Sequence, residues 1–371
     1  MIGRHEDIIA VKPVEVTPAT GLGVPPWFRA GGPCDNPRMF VQALAALPMH
    51  AKPDDDIIPL VGARYFTAWE FPLYAVLGLL VVGGLYLWGV WTLHRRGDRW
   101  PVMRTVSFVG LGLGTIAVAI FSFLGVYDTV LFWVHMLQHM LLNMIAPVFL
   151  VFGAPATLAL RTLPKRQRGW LLAVLHSTVA KVLLFPPLTT GLMVASPFAL
   201  YMSGWYEITL QNDFWHDFLH FYLITLGCLF FFPLLGVDPV PIKMPYPIRI
   251  LLFLLTMPFH AFLGVTIMGS TRLIAEEWYL AFERSWGLSP MEDQSWAGGL
   301  MWATGDITMF AAMITIFIQW IKDSNREAKR VDRALDREEA QRARRPGLGY
   351  DDPQKDPRPT VVGDNAKEDP R

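Results

Sequence analysis

Long apolar stretches are the feature of this sequence that most limits its fold. Seven are long enough to cross a bilayer core of about 30 Å, which takes about 20 helical residues. They cover residues 70–93, 103–124, 131–153, 182–203, 214–236, 249–271 and 299–321. Hydrophobic residues make up 53% of the chain and charged residues only 17%, whereas a soluble domain carries about 25% charge. The sequence therefore predicts an all-α, polytopic membrane protein, a bundle of seven transmembrane helices.

The loops between the predicted spans alternate in charge. Basic residues follow spans one, three, five and seven, as at Arg95, Arg166, Lys243 and Lys322, whereas the other loops are acidic. Basic loop residues are retained on the cytoplasmic side of a membrane. We therefore expect the N-terminus outside the cell and the C-terminus in the cytoplasm.

Three regions follow from this assignment. Residues 1–69 form a Pro-rich extracytoplasmic extension without the basic-then-apolar pattern of a signal peptide, and its apolar segment 39–47 is expected to be a surface helix. Residues 70–322 form the membrane domain. Residues 323–371 form a charged cytoplasmic tail, expected to be a solvated helix that fades into disorder.

Charge and cysteine counts exclude two classes. Lys plus Arg and Asp plus Glu both number 32, so the chain lacks the basic excess of a nucleic-acid-binding protein. Its two cysteines, Cys34 and Cys228, form neither a disulfide framework nor a paired-thiol motif.

Polar side chains inside the predicted spans are few, and each carries a cost of several kcal/mol unless it is paired or hydrated. Those on four spans fall into stripes along one helix face. The stripes are His135, Gln138 and His139 on span three; Asp213, His216, Asp217 and His220 on span five; Met257 and His260 on span six; and Asp306, Met309 and Met313 on span seven, which also carries Met301.

The stripes also agree in depth. At about 1.5 Å per residue, His139, His220, His260 and Asp306 all lie about 10–16 Å below the outer surface. Imidazole binds zinc and copper, and the thioether of methionine selects copper(I). We therefore predict a metal site, most simply for copper(I), with zinc as the alternative. Its ligands would be His135, His139, His216, His220, His260, Met257 and Met301, held in place by Asp213, Asp217, Asp306 and Gln138.

Four motifs carry a resemblance to a known family. They are HMLQHMLLNMIAPVFLVFGAPATLALRTLP (135–164), FLHFYLITLGCLFFFPLLGVDPVP (218–241), MPFHAFLG (257–264) and DQ followed by AGGLMWATGD (293–306). Over roughly 70–330 the chain resembles the CtaG-type cytochrome c oxidase assembly factors associated with caa-type oxidases. The resemblance implies a seven-span, non-enzymatic protein of the bacterial plasma membrane. It also implies a role in placing copper in the haem–copper oxidase catalytic subunit. Because the predicted site lies within reach of the outer surface, an extracytoplasmic copper donor is a further expected partner. Family motif residues fall on His135, His139, His216, His220, His260, Met301, Trp302 and Asp306.

Other function classes remain open at this point. An intramembrane zinc hydrolase would use three of the histidines on zinc, with Asp306 or Asp217 as the base. A haem protein would bind one haem between His139 and His220. A retinal-binding protein is disfavoured, because span seven has no lysine for a Schiff base.

Overall fold

The computed structural model describes residues 50–343 of the chain, except Asp54. In that part of the chain every regular element is a helix. The seven longest, numbered in chain order, are α1 Leu73–Arg95, α2 Val102–Val126, α3 Phe132–Thr162, α4 Pro186–Met202, α5 Asp213–Leu235, α6 Tyr246–Met268 and α7 Pro290–Ala343. Shorter helices are Arg64–Thr67, Lys165–Leu175, Thr178–Leu183, Trp205–Gln211 and Glu276–Ala281. The predicted surface helix at 39–47 and Cys34 lie outside the described residues.

Six helices within the described residues are long and apolar enough to cross a membrane, namely α1, α2, α3, α5, α6 and α7. The predicted fourth span corresponds to α4, which has 17 residues and begins at Pro186. Proline has no N–H, and the N–H at the first position of a helix has no partner within the helix. A helix can therefore begin at a proline without losing a hydrogen bond, which explains the start at this position. The predicted count of seven spans, and the orientation of the termini, stay predictions.

Two of the long helices are irregular. Part of α2, Val106–Leu113, and part of α3, Leu141–Ile145, are π-helical. Near its end α3 passes through Ala154, whose φ of 51° is left-handed, before Pro155 starts its last turns. Helix α7 continues beyond the predicted membrane boundary to Ala343, and the side chains of residues 322–341 are all exposed.

Helix α3 lies at the centre of the bundle and packs against α1, α2, α5 and α7. Its contact with α5 is close, because a Cβ on Gly227 of α5 would lie only 2.5 Å from Pro147 Cγ and would overlap the Asn143 carbonyl oxygen. This approach brings the histidine-bearing faces of α3 and α5 together.

Candidate metal centre

Four of the predicted ligands meet between α3 and α5. On each helix the two histidines are one turn apart, so their rings lie on the same face. The ring centroids of His135 and His139 are 3.7 Å apart, and those of His216 and His220 are 4.8 Å apart. Across the helix interface the His135–His216 distance is 5.5 Å and the His139–His220 distance is 6.0 Å. All four side chains are buried. We call these four residues the inner cluster.

A buried carboxylate organises one side of the inner cluster. Asp128 lies in the turn between α2 and α3 and is fully buried. Its Oδ2 accepts a hydrogen bond from Gln138 Nε2 at 3.1 Å and lies 3.2 Å from His216 Nε2. Gln138 in turn accepts from His220 Nε2 at 3.0 Å through its Oε1. Asp128 therefore fixes two of the four rings, one directly and one through Gln138.

A fifth histidine comes from the segment that precedes α1. The ring of His50 lies 4.3 Å from that of His216. Its Nδ1 is 3.4 Å from Asp128 Oδ1, and its Nε2 is 3.3 Å from Asp217 Oδ1, which also accepts from the Tyr74 hydroxyl at 2.5 Å.

Charge and burial shift the pKa values of His50 and Asp128 in opposite directions. Burial lowers the pKa of His50, but the Asp128 and Asp217 carboxylates outweigh it and raise that pKa to about 10. Burial raises the pKa of Asp128, yet His50 and His216 hold it well below its usual range. Without a bound metal ion, the negative Asp128 carboxylate is therefore paired with a protonated His50.

Hydrogen bonds among the described residues leave one nitrogen of three inner rings, and both nitrogens of His135, without a partner. His220 donates through Nε2 to the Gln138 oxygen, and His216 Nε2 faces the Asp128 carboxylate. His139 Nδ1 lies 3.0 Å from the hydroxyl of Tyr201, which donates to Met136 Sδ. Within the residues that the structure describes, the opposite nitrogens of three rings are buried and have no hydrogen-bond partner: His139 Nε2, His216 Nδ1 and His220 Nδ1. Neither nitrogen of His135 has a partner there. These rings therefore present lone pairs in the arrangement that metal-binding histidines use.

The remaining predicted site residues do not join this arrangement by a hydrogen bond, an ion pair or a ring contact within the described residues, apart from Asp217. His260 packs its ring against Gly305, where a Cβ would lie 2.8 Å from its Nε2. Met257 is half-buried on α6, Met301 is buried on α7, and Asp306 is half-buried just over one turn further along α7. Asp213 pairs with Lys52 at 3.5 Å, and Asp217 contacts His50. The roles of all of these residues stay predictions.

Sequence reasoning passed over His50, Asp128, Tyr201 and Tyr74. One signal for Asp128 was available, since it is a lone carboxylate between two apolar helices, four residues before α3. His50 gave no comparable signal, because no helical spacing links it to the other ligands.

Comparisons with known proteins bear on the membrane domain. The profile of the family described as cytochrome c oxidase caa3 assembly factor matches residues 84–323, which include the inner cluster and Asp128 but not His50. Uncharacterised proteins of Mycobacterium bovis and Mycobacterium tuberculosis are each 35% identical over 288 residues, which is 75% of this chain and 43% of the relative. A protein of Mycobacterium leprae is 34% identical over 282 residues, or 74% and 42% of the two chains. The chain thus spans less than half the length of these relatives. No solved structure matches it.

Proposed function

The chain belongs to the cytochrome c oxidase caa3 assembly factor family, and on that premise we propose that it binds copper(I) at the inner cluster and passes it to the oxidase. The role is non-catalytic: copper is the cargo, and the acceptor is the haem–copper catalytic subunit in the same bacterial plasma membrane. An extracytoplasmic copper donor supplies the ion.

The unpartnered imidazole nitrogens are the observation that carries this proposal. A buried polar atom without a hydrogen bond costs about 1–3 kcal/mol, and the four inner rings hold five such atoms within two helical turns. A fold that only needed packing at this point would be more stable with apolar side chains. A metal ion bound by one nitrogen of each ring removes that cost for four of the five atoms, since the second nitrogen of a neutral His135 carries a proton.

The donor set favours copper over other metals. Neutral imidazole suits copper and zinc, and sulfur selects copper(I). The buried sulfur of Met136 is connected to His139 by two hydrogen bonds, through the Tyr201 hydroxyl. Three or four neutral nitrogens add no charge, so a monovalent ion fits them better than a divalent one in an apolar surrounding.

Burial of the cluster supports transfer within the membrane plane. His135 and His139 lie on α3, which neighbouring helices surround, and neither ring is exposed. A soluble chaperone has no access to a buried acceptor in the oxidase, whereas a membrane protein docked beside it does. Lateral transfer therefore matches the place of the site in the fold.

Copper analysis of the purified protein under reducing conditions tests the proposal. The wild-type chain is expected to bind one copper(I) per protein. Replacing both His135 and His139 by Ala should lower the affinity by more than about 100-fold, since loss of an outer partner alone costs about 10–100-fold. The control is His176→Ala, which changes an exposed histidine outside the cluster.

Oxidase assembly in cells supplies the second measurement. The double variant should leave the oxidase short of copper, and the His176→Ala variant should not. Wild-type protein that binds no copper, together with normal oxidase in cells carrying the double variant, would contradict the proposal. Stoichiometric zinc, or a haem absorption band, would instead favour the hydrolase or the haem protein.

A further inference from the structure

The atoms around Asp128 have the spacing of a second metal site, at the outer side of the inner cluster. His50, Asp128 and His216 each offer one ligand atom, and these atoms all lie within 4.8 Å of one another. His50 Nδ1 is 3.4 Å from Asp128 Oδ1, and His216 Nε2 is 3.2 Å from Asp128 Oδ2. Ligands at about 2.0–2.1 Å from a tetrahedral zinc ion are about 3.3 Å apart.

Two of these atoms are close together without forming a hydrogen bond. His50 Nδ1 and Asp128 Oδ1 are both buried and lie 3.4 Å apart, within ion-pair distance, but among the described residues neither atom has a hydrogen bond of good geometry. A divalent ion between the two atoms would replace the proton of His50, because a histidine binds a metal through a deprotonated nitrogen. The other ring nitrogen of His50 faces Asp217, as in metal-binding histidines, where a carboxylate orients the ring.

We propose that His50, Asp128 and His216 form a second cation site, which binds a divalent ion of the zinc type. Two imidazoles and one carboxylate are a ligand set that zinc uses in open sites, where a fourth position is left for water or another ligand. The carboxylate distinguishes this site from the all-nitrogen inner cluster, because it offsets one charge of a divalent ion. We call it the outer site.

The two sites share His216. A neutral imidazole has one free lone pair, so His216 can serve the outer site through Nε2 or the inner cluster through Nδ1, but not both. With zinc in the outer site, the inner cluster keeps His135, His139 and His220. Three imidazoles still suffice for copper(I), so each site is expected to bind its own ion.

Exposure rises outward from the shared ring, which gives the outer site a route to solvent. The exposed side-chain fraction is 1% for His216, 7% for His50, 19% for Asp217 and 45% for Lys52. A bound ion would tie the segment that carries His50 to the turn before α3 and to α5. The outer site also lies partly beyond the family match, since His50 precedes residue 84.

Zinc and copper binding by one set of variants tests the proposal. Purified wild-type protein is expected to bind one Zn²⁺. His50→Ala and Asp128→Asn should lower the zinc affinity by about 100-fold or more, and His135→Ala should leave it unchanged. Copper(I) binding should show the reverse pattern. The copper(I) affinity should fall in His135→Ala and stay unchanged in His50→Ala. Lys52→Ala is the matched control in the same segment and should bind both ions normally.

The two assays separate this proposal from the proposed function. Absence of stoichiometric Zn²⁺ in the wild-type protein would overturn the outer site, and so would equal loss of zinc in His50→Ala and His135→Ala, which would mean a single site. Failure of copper binding alone would overturn the copper role and leave the outer site standing. Melting temperatures of all variants identify misfolding; if Asp128→Asn fails to fold, His50→Ala still decides the question.

Discussion

Asp128 and Gln138 set the tautomer and the orientation of several histidine rings with only a few hydrogen bonds. The Asp128 carboxylate contacts His50, His216 and Gln138. Gln138 donates to both Asp128 and the Ala119 carbonyl oxygen, so its amide can present only its oxygen to His220. His220 must then donate through Nε2, which frees Nδ1. A side chain that never touches the ion thus selects which nitrogen can bind it.

Replacing Gln138 by Leu tests this positioning role. Leucine has a similar volume but none of the three hydrogen bonds, so His220 can adopt the other tautomer and rotate. We expect copper(I) affinity to fall about 10–100-fold although no ligand is removed. Chelator competition with purified protein measures the affinity.

The control for this substitution is Thr256→Val, which removes another buried polar group. Among the described residues, the Thr256 hydroxyl donates to the Leu252 carbonyl oxygen on α6 and to no residue of the cluster. It should leave copper affinity unchanged. Equal affinity in the Gln138→Leu variant and the wild type, with both folded, would show that Gln138 is only a packing residue.

Residues on one helix could be placed from sequence, whereas partners from different segments could not. The spacing of four put His135 beside His139 and His216 beside His220, and matched depth brought the two pairs to one level. Equal depth does not fix the face of a helix, however, so the role of His260, whose ring packs on Gly305, stays a prediction. His50 and Asp128 reach the cluster through chain folding between helices, which no periodicity encodes.

At the scale of elements, the contact between α3 and α5 decides whether the two histidine pairs can meet. Gly227 is a point of close approach in that contact, two turns along α5 from His220. Replacing Gly227 by Leu should force the helices apart, because the side chain would occupy the position of the Asn143 carbonyl group. Overpacking of this kind costs about 1–3 kcal/mol. We expect a lower melting temperature together with weaker copper binding.

Gly191→Leu is the matched control, because a Cβ at Gly191 on α4 meets no atom within 4 Å. It should change neither measurement. Unchanged copper binding in a Gly227→Leu protein that is less stable would show that the cluster does not depend on this helix contact.

Helices were the most predictable part of the fold, since six of the predicted spans coincide with long helices. The irregular points within these helices could not be predicted from the sequence. Ala154 adopts a left-handed conformation that its side chain disfavours, and tertiary packing rather than local preference must hold it there. Helix α7 runs past the predicted boundary because residues 322–343 remain good helix formers after the apolar stretch ends.

At the scale of the whole molecule, the loops gather at two ends of the helix bundle, which differ in the charge of their loops. One end joins the His50 segment, the Asp128 turn and the Glu276–Ala281 helix, as in the bonds from Thr129 to Ala51 and from Trp278 to Thr129. The other joins the basic loops, where Arg96 bonds to Thr162 and Arg161 pairs with Asp98. This grouping agrees with the alternation of charge along the sequence, which assigns the first end to the outside.

Thiol labelling of intact spheroplasts tests which end faces outward. Glu277→Cys and Arg166→Cys place a single thiol at an exposed position at each end, in a chain whose Cys34 and Cys228 are changed to Ser. An impermeant maleimide should label the Glu277→Cys protein and spare the Arg166→Cys protein, because basic loops stay in the cytoplasm. Labelling after lysis is the control and should modify both.

The reverse labelling pattern would change the direction of copper flow rather than the site itself. The inner cluster and the outer site lie near the end that carries Glu277, so their ions enter from whichever compartment that end faces. With this end outside, the proposal has copper arrive from an extracytoplasmic donor. With this end inside, the same histidines would have to draw copper from the cytoplasm, and the donor part of the proposal would fail while the ligands stayed the same.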